Sequence, residues 1–388
     1  MRLIGTTAMG IRLPIISPGD DLVDMVAEHV LQVTKTASLT SSDVIAVTEA
    51  IVAKAEGNFC TINDIADDVR AKFGDTEVGL VYPMLSRNRF INILKGISAG
   101  VKKLHVLLSF PYDEVGNPIM DINRLDEITD ALPPGMVSAT DFTAVAGNFA
   151  HPFTGVNYLR LYQEAGDNIS IYLSNDPREI LKLTPHVLVG EIHNCFITRS
   201  RLLKSGAKTV YTLSDILSKS VNGSGFNTEY GVLGSNLSTE DTLKLYPNNS
   251  PVFVKNLRAR LKEKTGVAPE VMVYGDGAFK DPVCGIWELA DPVVSPGYTP
   301  RLGGRPDEVK IKLVADTVAG GLSSEEKRQA VTRMIKSKAD NPDIFRDGTT
   351  PRVYADLLGS LCDLMGGSGD KGTPVVLVRG YFDDYTVE

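Results

Sequence analysis

Val375-Val376-Leu377-Val378, closed by Arg379-Gly380, is a short apolar run of β-branched and leucine side chains, and it decides the reading of the fold. Four unbroken apolar residues after a turn signal describe a strand buried on both faces. Immediately before it lie Gly366-Gly367-Ser368-Gly369-Asp370-Lys371-Gly372 and Pro374. Before those, residues 353–365 form a mostly apolar helical stretch. Helix, glycine loop and buried strand in succession are the grammar of an α/β chain.

The same grammar recurs upstream. Residues 252–264 read as an amphipathic helix stopped by Gly266, and Glu270-Val271-Met272-Val273-Tyr274 as a strand running into Gly275-Asp276-Gly277. Near the start, Ser17-Pro18-Gly19-Asp20 is a turn and cap signal. After it Leu22, Val26, Val30 and Val33 share one helical face. Asp43-Val44-Ile45-Ala46-Val47-Thr48 reads as a buried strand, and Thr61 with Asp64 as a capping box opening a helix that ends near Gly74. The middle is less regular: residues 105–110, 169–174 and 186–192 read as strands, with Pro and Gly between them. The expected organisation is α/β (mixed α+β), with residues 1–80 and 226–388 forming one unit and residues 81–225 an inserted or diverged lobe.

With 388 residues, 43% of them hydrophobic and 23% charged, the chain can bury a large core without staples. The net charge of -8 argues against a nucleic-acid or anionic-membrane role. No apolar run approaches the roughly 20 residues of a membrane helix, and the first residues lack a secretory core. A cytoplasmic protein is expected. Cys60, Cys195, Cys284 and Cys362 are far apart and read as inert packing residues.

Four constellations carry possible chemistry. Lys54, in Ala53-Lys54-Ala55-Glu56-Gly57, reads either as a phosphate-binding lysine at a strand end or as a solvated turn residue. The loop from Gly366 to Gly372 reads as a phosphate nest or a connector; it lacks the Walker A spacing and follows a helix instead of opening one. Asp276 and Asp281, after the strand at 270–274, read as Mg²⁺ ligands or as turn formers. Arg87, Arg89 and Lys95 read as an anion site or a solvated face. Separately, Glu191 and His193 on a predicted strand would share a side as an acid/base pair, or His193 is structural.

The order of these segments resembles the coenzyme F420-0 γ-glutamyl ligase family. Leu13-Pro14-Ile15-Ile16 before Pro18-Gly19-Asp20-Asp21-Leu22, residues 43–47 leading to Lys54-Ala55-Glu56-Gly57, Gly231-Val232-Leu233-Gly234-Ser235-Asn236, the strand before Asp276, and Ala355-Asp356 through Met365-Gly366 and Gly369-Asp370 to Pro374 carry the likeness. It covers residues 10–75 and 226–380. The resemblance implies a ligase joining L-glutamate to a small-molecule carboxylate through an acyl phosphate, with GTP and Mg²⁺ or Mn²⁺, in a homodimer. It implies that Leu13, Pro14, Ile15 and Ile16 line the nucleotide and that Lys54 meets a phosphate. It further implies that Asn236 contacts the nucleotide, that Asp276 holds metal, and that Met365, Gly366, Gly367, Gly369 and Asp370 wrap the nucleotide. Catalytic roles would fall to Lys54 and Asp276. Leu233, Gly277 and Gly367 stand where the family carries metal ligands or their neighbours, and Glu49-Ala50 where it carries Ser-Thr. Glu49, Glu229, Asp281 or Asp370 would then have to supply oxygen ligands. A nucleotide- or anion-binding protein with altered catalysis, or a folate-type glutamyl ligase, is the alternative reading.

Overall fold

The computed structural model describes residues 3–36, 38–86, 90–113, 116–152, 154–275, 278–280, 287–289, 295–317, 321–338, 352–367 and 369–387, with backbone alone at 278–280 and 287–289. The chain opens with β1 (Thr7–Ile11), α1 (Leu22–Val33), β2 (Val44–Thr48), α2 (Glu49–Glu56), β3 (Phe59–Thr61) and α3 (Ile62–Phe73). It continues with β4 (Glu77–Val81), α4 (Ile91–Ala99), β5 (Lys103–Leu108), α5 (Leu125–Ala131), β6 (Val137–Ser138), α6 (Ala139–Ala146), α7 (Tyr158–Gln163) and β7 (Ile169–Leu173). A 3-10 helix at Pro177–Lys182 leads to β8 (His186–Val189), α8 (Cys195–Lys204) and β9 (Thr209–Thr212). The last part holds β10 (Asn236–Leu237), β11 (Thr242–Lys244), α9 (Ser250–Thr265), β12 (Glu270–Tyr274), β13 (Ala278–Lys280), β14 (Trp287–Leu289) and β15 (Gly297–Tyr298). It closes with α10 (Ile311–Thr317), α11 (Ser324–Lys336), α12 (Tyr354–Met365) and β16 (Val375–Arg379).

These elements make a mixed α/β fold with two main sheets. One is built from the two ends of the chain, in the order β1-β16-β2-β12-β15. Only β2 and β12 are parallel in it; β16 runs antiparallel between β1 and β2. Its strands read as continuous apolar runs because both faces are covered. Ile45, Val47, Val271, Val273, Val375 and Leu377 pack with α1 and α9 on one face. The alternate residues Val44, Ala46, Met272, Tyr274, Val376 and Val378 pack with α12 on the other. Each such side chain contributes about 1.5–3 kcal/mol by leaving water. One charged residue in the middle of β2 or β16 would break the layer.

The second sheet has the order β6-β7-β5-β4-β8-β9. The pairs β4·β5, β4·β8, β5·β7 and β8·β9 are parallel, and only β6 is reversed. Written by chain order of its five parallel strands this is 3-2-1-4-5, a doubly wound arrangement whose direction switches between β4 and β8. On one face Val78, Leu80, Leu104, Val106, Ile171 and Leu188 join α3 and α4. On the other, Val81, Leu107, Val187 and Val189 meet the 3-10 helix and α8. Gly79 allows that close layer, since a Cβ there would stand 2.3 Å from Ile180 Cγ1.

A small sheet, β10-β11-β3, joins the two parts. The α3 N-terminus shows the predicted capping box: Asp64 N–H donates to Thr61 Oγ1 at 3.2 Å and Thr61 N–H donates to Asp64 Oδ2 at 2.7 Å. The helix closes on Gly74. Helix α3 then packs on α4 through Gly96, where a Cβ would lie 2.7 Å from Ile65. Asp68 accepts the Leu217 N–H at 2.7 Å, and Asn92 Nδ2 donates to the Glu240 carbonyl at 3.0 Å.

Two local expectations are corrected. Lys54 lies in the last turn of a helix, α2, and not in a turn. The run from Glu49 to Glu56 is made of good helix formers, and Gly57 at φ 69° supplies its left-handed stop. The strand expected over 186–192 ends at Val189, because Gly190 turns the chain against Pro83 (a Cβ would come within 2.9 Å of Pro83 Cα). Glu191 and His193 therefore lie in the loop beyond β8. Glu191 is buried and His193 exposed, so the two do not stand on one face of a strand.

Candidate functional site

A cleft of about 450 Å³ opens beside the C-terminal end of β2. Four stretches far apart in sequence form it: residues 13–16, the α2 helix, the β3–β11 strands with the end of β10 and Ser238, and the glycine loop after α12. Leu13, Pro14, Ile15 and Ile16 make one wall. Ile16 is buried and anchors the segment, while Ile15 projects almost fully into solvent. Gly19 N–H donates to the Ala55 carbonyl at 2.8 Å, which ties this wall to α2.

Lys54 stands across from it, with Ala50 and Ile51 one turn earlier on the same helix. Lys244 is the second cation of the cleft. It lies on β11 opposite Phe59 of β3. In Thr242-Leu243-Lys244 the central Leu243 is fully buried, so Lys244 faces the other way. Two half-buried ammonium groups in one cleft of an acidic protein make a local positive field suited to phosphate or carboxylate oxygens.

The glycine loop closes the cleft with Gly369, Gly372 and Pro374. Its neck is a bridge between Gly367 and Thr373. Gly366 N–H caps α12 by donating to the Cys362 carbonyl at 2.9 Å. Gly372, at φ 62°, donates to the Gly369 carbonyl at 2.9 Å, and Thr48 N–H donates to the Pro374 carbonyl at 2.9 Å. The loop is therefore pinned to the end of β2.

Of the expected residues, Leu13, Pro14, Ile15, Ile16, Lys54 and Gly369 meet in this cleft. Asn236 pairs with Lys244 across β10 and β11, but it is Leu237 and Ser238 that reach the wall. Met365, Gly366 and Gly367 form the neck of the loop, and Asp370 is exposed at its tip. Asp276, Gly277, Asp281, Arg87, Arg89 and Ser368 lie outside the described residues. The strand that leads to Asp276 ends at Tyr274, paired with Thr48 at the cleft's edge of the sheet. Phe59, Lys244, Leu237 and Ser238 were not singled out in the sequence. Only the alternation of Thr242-Leu243-Lys244 could have signalled one of them.

Among the described residues no group of three His, Cys, Asp or Glu side chains could hold a metal ion. Glu49, the first residue of α2, is buried and accepts a hydrogen bond from Thr48 Oγ1 at 2.9 Å. Leu233, where the resemblance leads one to expect an acidic residue, is a core residue in the layer around the second sheet. Glu56 is engaged elsewhere, accepting the Asn248 and Asn249 N–H groups at 2.9 and 3.2 Å at the start of α9. Burial pushes its carboxyl up, and those two backbone bonds oppose the rise.

The described thiols are buried and unpaired by disulfides. Burial pushes Cys60 and Cys362 up to about 12, and Cys195 upward as well. Cys284 lies outside the described residues. No described helix is long and apolar enough to cross a membrane.

No curated protein gives a significant match to the chain. A family model described as F420-0:gamma-glutamyl ligase matches residues 10–380, a span that takes in both sheets and every wall of the cleft. With nearly its whole length matched, the chain belongs to the F420-0:gamma-glutamyl ligase family.

Proposed function

We propose that the chain is a nucleotide-dependent ligase that forms a γ-glutamyl amide, with its nucleotide phosphates in the cleft between Lys54, Lys244 and the glycine loop. The observation that carries this reading is the meeting of two lysines with a pinned glycine loop in one cavity. In the reaction, a carboxylate oxygen of the acceptor attacks the γ-phosphorus of GTP, giving an acyl phosphate and GDP. The amine of L-glutamate then attacks the acyl carbon. The C–O bond to phosphate breaks, the amide C–N bond forms, and the nitrogen loses a proton. Neither step needs a covalent link to the protein. Catalysis then rests on placing the partners and neutralising phosphate charge.

Lys54 and Lys244 hold phosphoryl oxygens as point charges, and the loop amides around Gly369 and Gly372 add fixed donors. Leu13 to Ile16 cover the apolar side of the nucleotide. Mg²⁺ bound mainly through nucleotide phosphates needs only one or two protein carboxylates. Glu49 can supply one, with Asp276 as the second in this reading. Such a set fits an ion that arrives with the nucleotide better than one caged by the protein. When bound, the ion neutralises part of the phosphate charge. A homodimer belongs to the same reading and is tested by light scattering.

The deciding experiment incubates the protein with GTP or ATP, L-glutamate, Mg²⁺ or Mn²⁺, and deazaflavin or folate acceptors. Phosphate release that requires both glutamate and an acceptor is expected. Nucleotide binding without release for any acceptor would overturn the ligase reading in favour of a binding protein.

A further inference from the structure

The sheet made by the chain ends stops at a short edge strand, β15, with no described strand beyond it. β15 pairs antiparallel with β12, placing Met272 opposite Tyr298 and Val273 opposite Gly297. Thr299 N–H donates to the Val271 carbonyl at 2.9 Å, so Thr299 turns its main chain toward β12. That direction alternates along an antiparallel strand, and Tyr298 therefore turns its N–H and C=O away from β12. An open edge of this kind is a template for another extended chain.

Helix α9 stands beside the edge. Gly297 seats β15 closely against it, since a Cβ there would lie 2.8 Å from the main-chain carbonyl carbon of Ser250. Tyr298 and α9 border a groove of about 450 Å³, to which Val254, Ala259, Ala268 and Pro300 give an apolar lining. Lys255, Arg258 and Lys262 line it as well. Their spacings of three and four put them on one face of the helix. Arg258 is committed: its Nε donates to the Pro269 carbonyl at 3.0 Å, and its Nη2 lies 3.7 Å from Glu270. Lys255 and Lys262 are exposed and make no ion pair among the described residues. Elsewhere on the same helix Arg260 is paired, with Asp24 at 2.6 Å and Glu263 at 3.0 Å. So α9 neutralises a cation away from the groove and leaves two open within it, in a protein of net charge -8.

A small inorganic anion would use the lysines and ignore both the apolar lining and the open main chain. An uncharged apolar ligand would ignore the lysines. An extended acidic peptide uses all three, with main chain on the edge at Tyr298, an apolar side chain in the groove and carboxylates on Lys255 and Lys262. The two lysines start about 10 Å apart along the helix axis. Side chains on one side of a strand recur every ~6.6–6.8 Å, so carboxylates two to four residues apart reach both.

We propose that the groove between α9 and β15 is a docking site for an extended acidic segment of a partner protein, which adds a strand to the edge of this sheet. The groove shares no residue with the nucleotide cleft, and the proposal does not rest on the ligase reading.

The test is a fluorescence-anisotropy titration of the full chain with the labelled peptide Glu-Thr-Val-Thr-Glu, with its counterpart Gln-Thr-Val-Thr-Gln, and with the acidic peptide N-methylated on its three central residues. The acidic peptide is expected to bind most tightly. N-methylation, which removes the donors an added strand needs, should weaken it roughly threefold or more. The protein carrying both Lys255→Gln and Lys262→Gln should bind it about three- to tenfold more weakly. Both lysines are exposed, so this variant should unfold at the wild-type temperature. Lys54→Ala should bind the peptide as the wild type does, which separates the groove from the nucleotide cleft. Absence of binding, equal binding of the glutamine or N-methylated peptide, insensitivity to the double substitution, or loss in Lys54→Ala would each overturn the proposal. A change of molar mass by light scattering on the double substitution would assign the groove to a second copy of the chain and overturn it too.

Discussion

The two large sheets bury their cores by the same rule but differ in what they do with polar groups. In the sheet made by the chain ends, β2, β12 and β16 alternate cleanly between two apolar layers. Its cations, Lys54 and Lys244, are kept in an open cleft at its edge. The middle sheet is doubly wound and parallel apart from β6, yet it takes His105, Asn92 and Ser98 into burial around it. Apolar layers with polar groups confined to the rim make a sequence easy to read. Polar groups drawn inside, satisfied by partners far away in the chain, make it hard to read and supply most of the unusual chemistry.

The strongest way to break this comparison is to put a charge into one of these cores. Leu233→Asp places a carboxylate in the core beside the second sheet. With no partner there, destabilisation of about 3–5 kcal/mol is expected, read as a lower denaturant midpoint with no gain in Mg²⁺ affinity by titration. A gain in Mg²⁺ affinity would show instead that Leu233 faces a latent metal site.

Next in size is the chemistry of the rim. Truncating Lys54 removes one hydrogen bond to a charged oxygen, about 1.5–3 kcal/mol. Lys54→Ala should therefore slow phosphate release by roughly 10- to 150-fold. The exposed Arg160→Ala, on the far edge of the middle sheet, should not change the rate. Equal rates for all three proteins would remove the cleft from the mechanism.

A smaller effect probes the joint between the sheets. Thr61→Ala removes the α3 capping box and should cost about 1 kcal/mol, measured by chemical unfolding. No change would mean that packing through Gly96 alone fixes α3.

The smallest effect is one of pH. Burial lowers the pKa of His151 below its ordinary 6.5, with Asp113 opposing. Between 6.5 and the lowered value the unfolded chain binds a proton that the folded chain refuses. His151 therefore contributes stability that is present above about pH 6.5 and lost as the pH falls through that range. Amide exchange should show middle-sheet protection falling between pH 7 and 5, and His151→Gln should flatten the fall. An equal loss in both sheets would erase this distinction between them.

Much of the end sheet was legible because its signals are local. The runs at β2, β12 and β16, the Thr61–Asp64 cap and the stops at Gly74 and Gly266 all depend on neighbours within a few residues. Three walls of the cleft, at residues 13–16, Lys54 and Gly369, were legible from the order of motifs along the chain. The fourth was not. Lys244 reaches the cleft only because β11 pairs with β3, nearly two hundred residues away, and strands of three residues leave no periodicity to read. The switch point was hidden for the same reason. Glu191 was read as a strand residue because Val187-Leu188-Val189 continues smoothly into it, and only the approach of Gly190 to Pro83 ends the strand.

The account stands most directly on the affinity of the cleft for GTP, measured by calorimetry on the wild-type chain and on Lys54→Ala and Lys244→Ala variants of unchanged unfolding temperature. Binding by the wild type, weakened roughly tenfold or more by either substitution, is the expected result. Binding of equal strength in all three would contradict it, because GTP would then be held elsewhere on the protein.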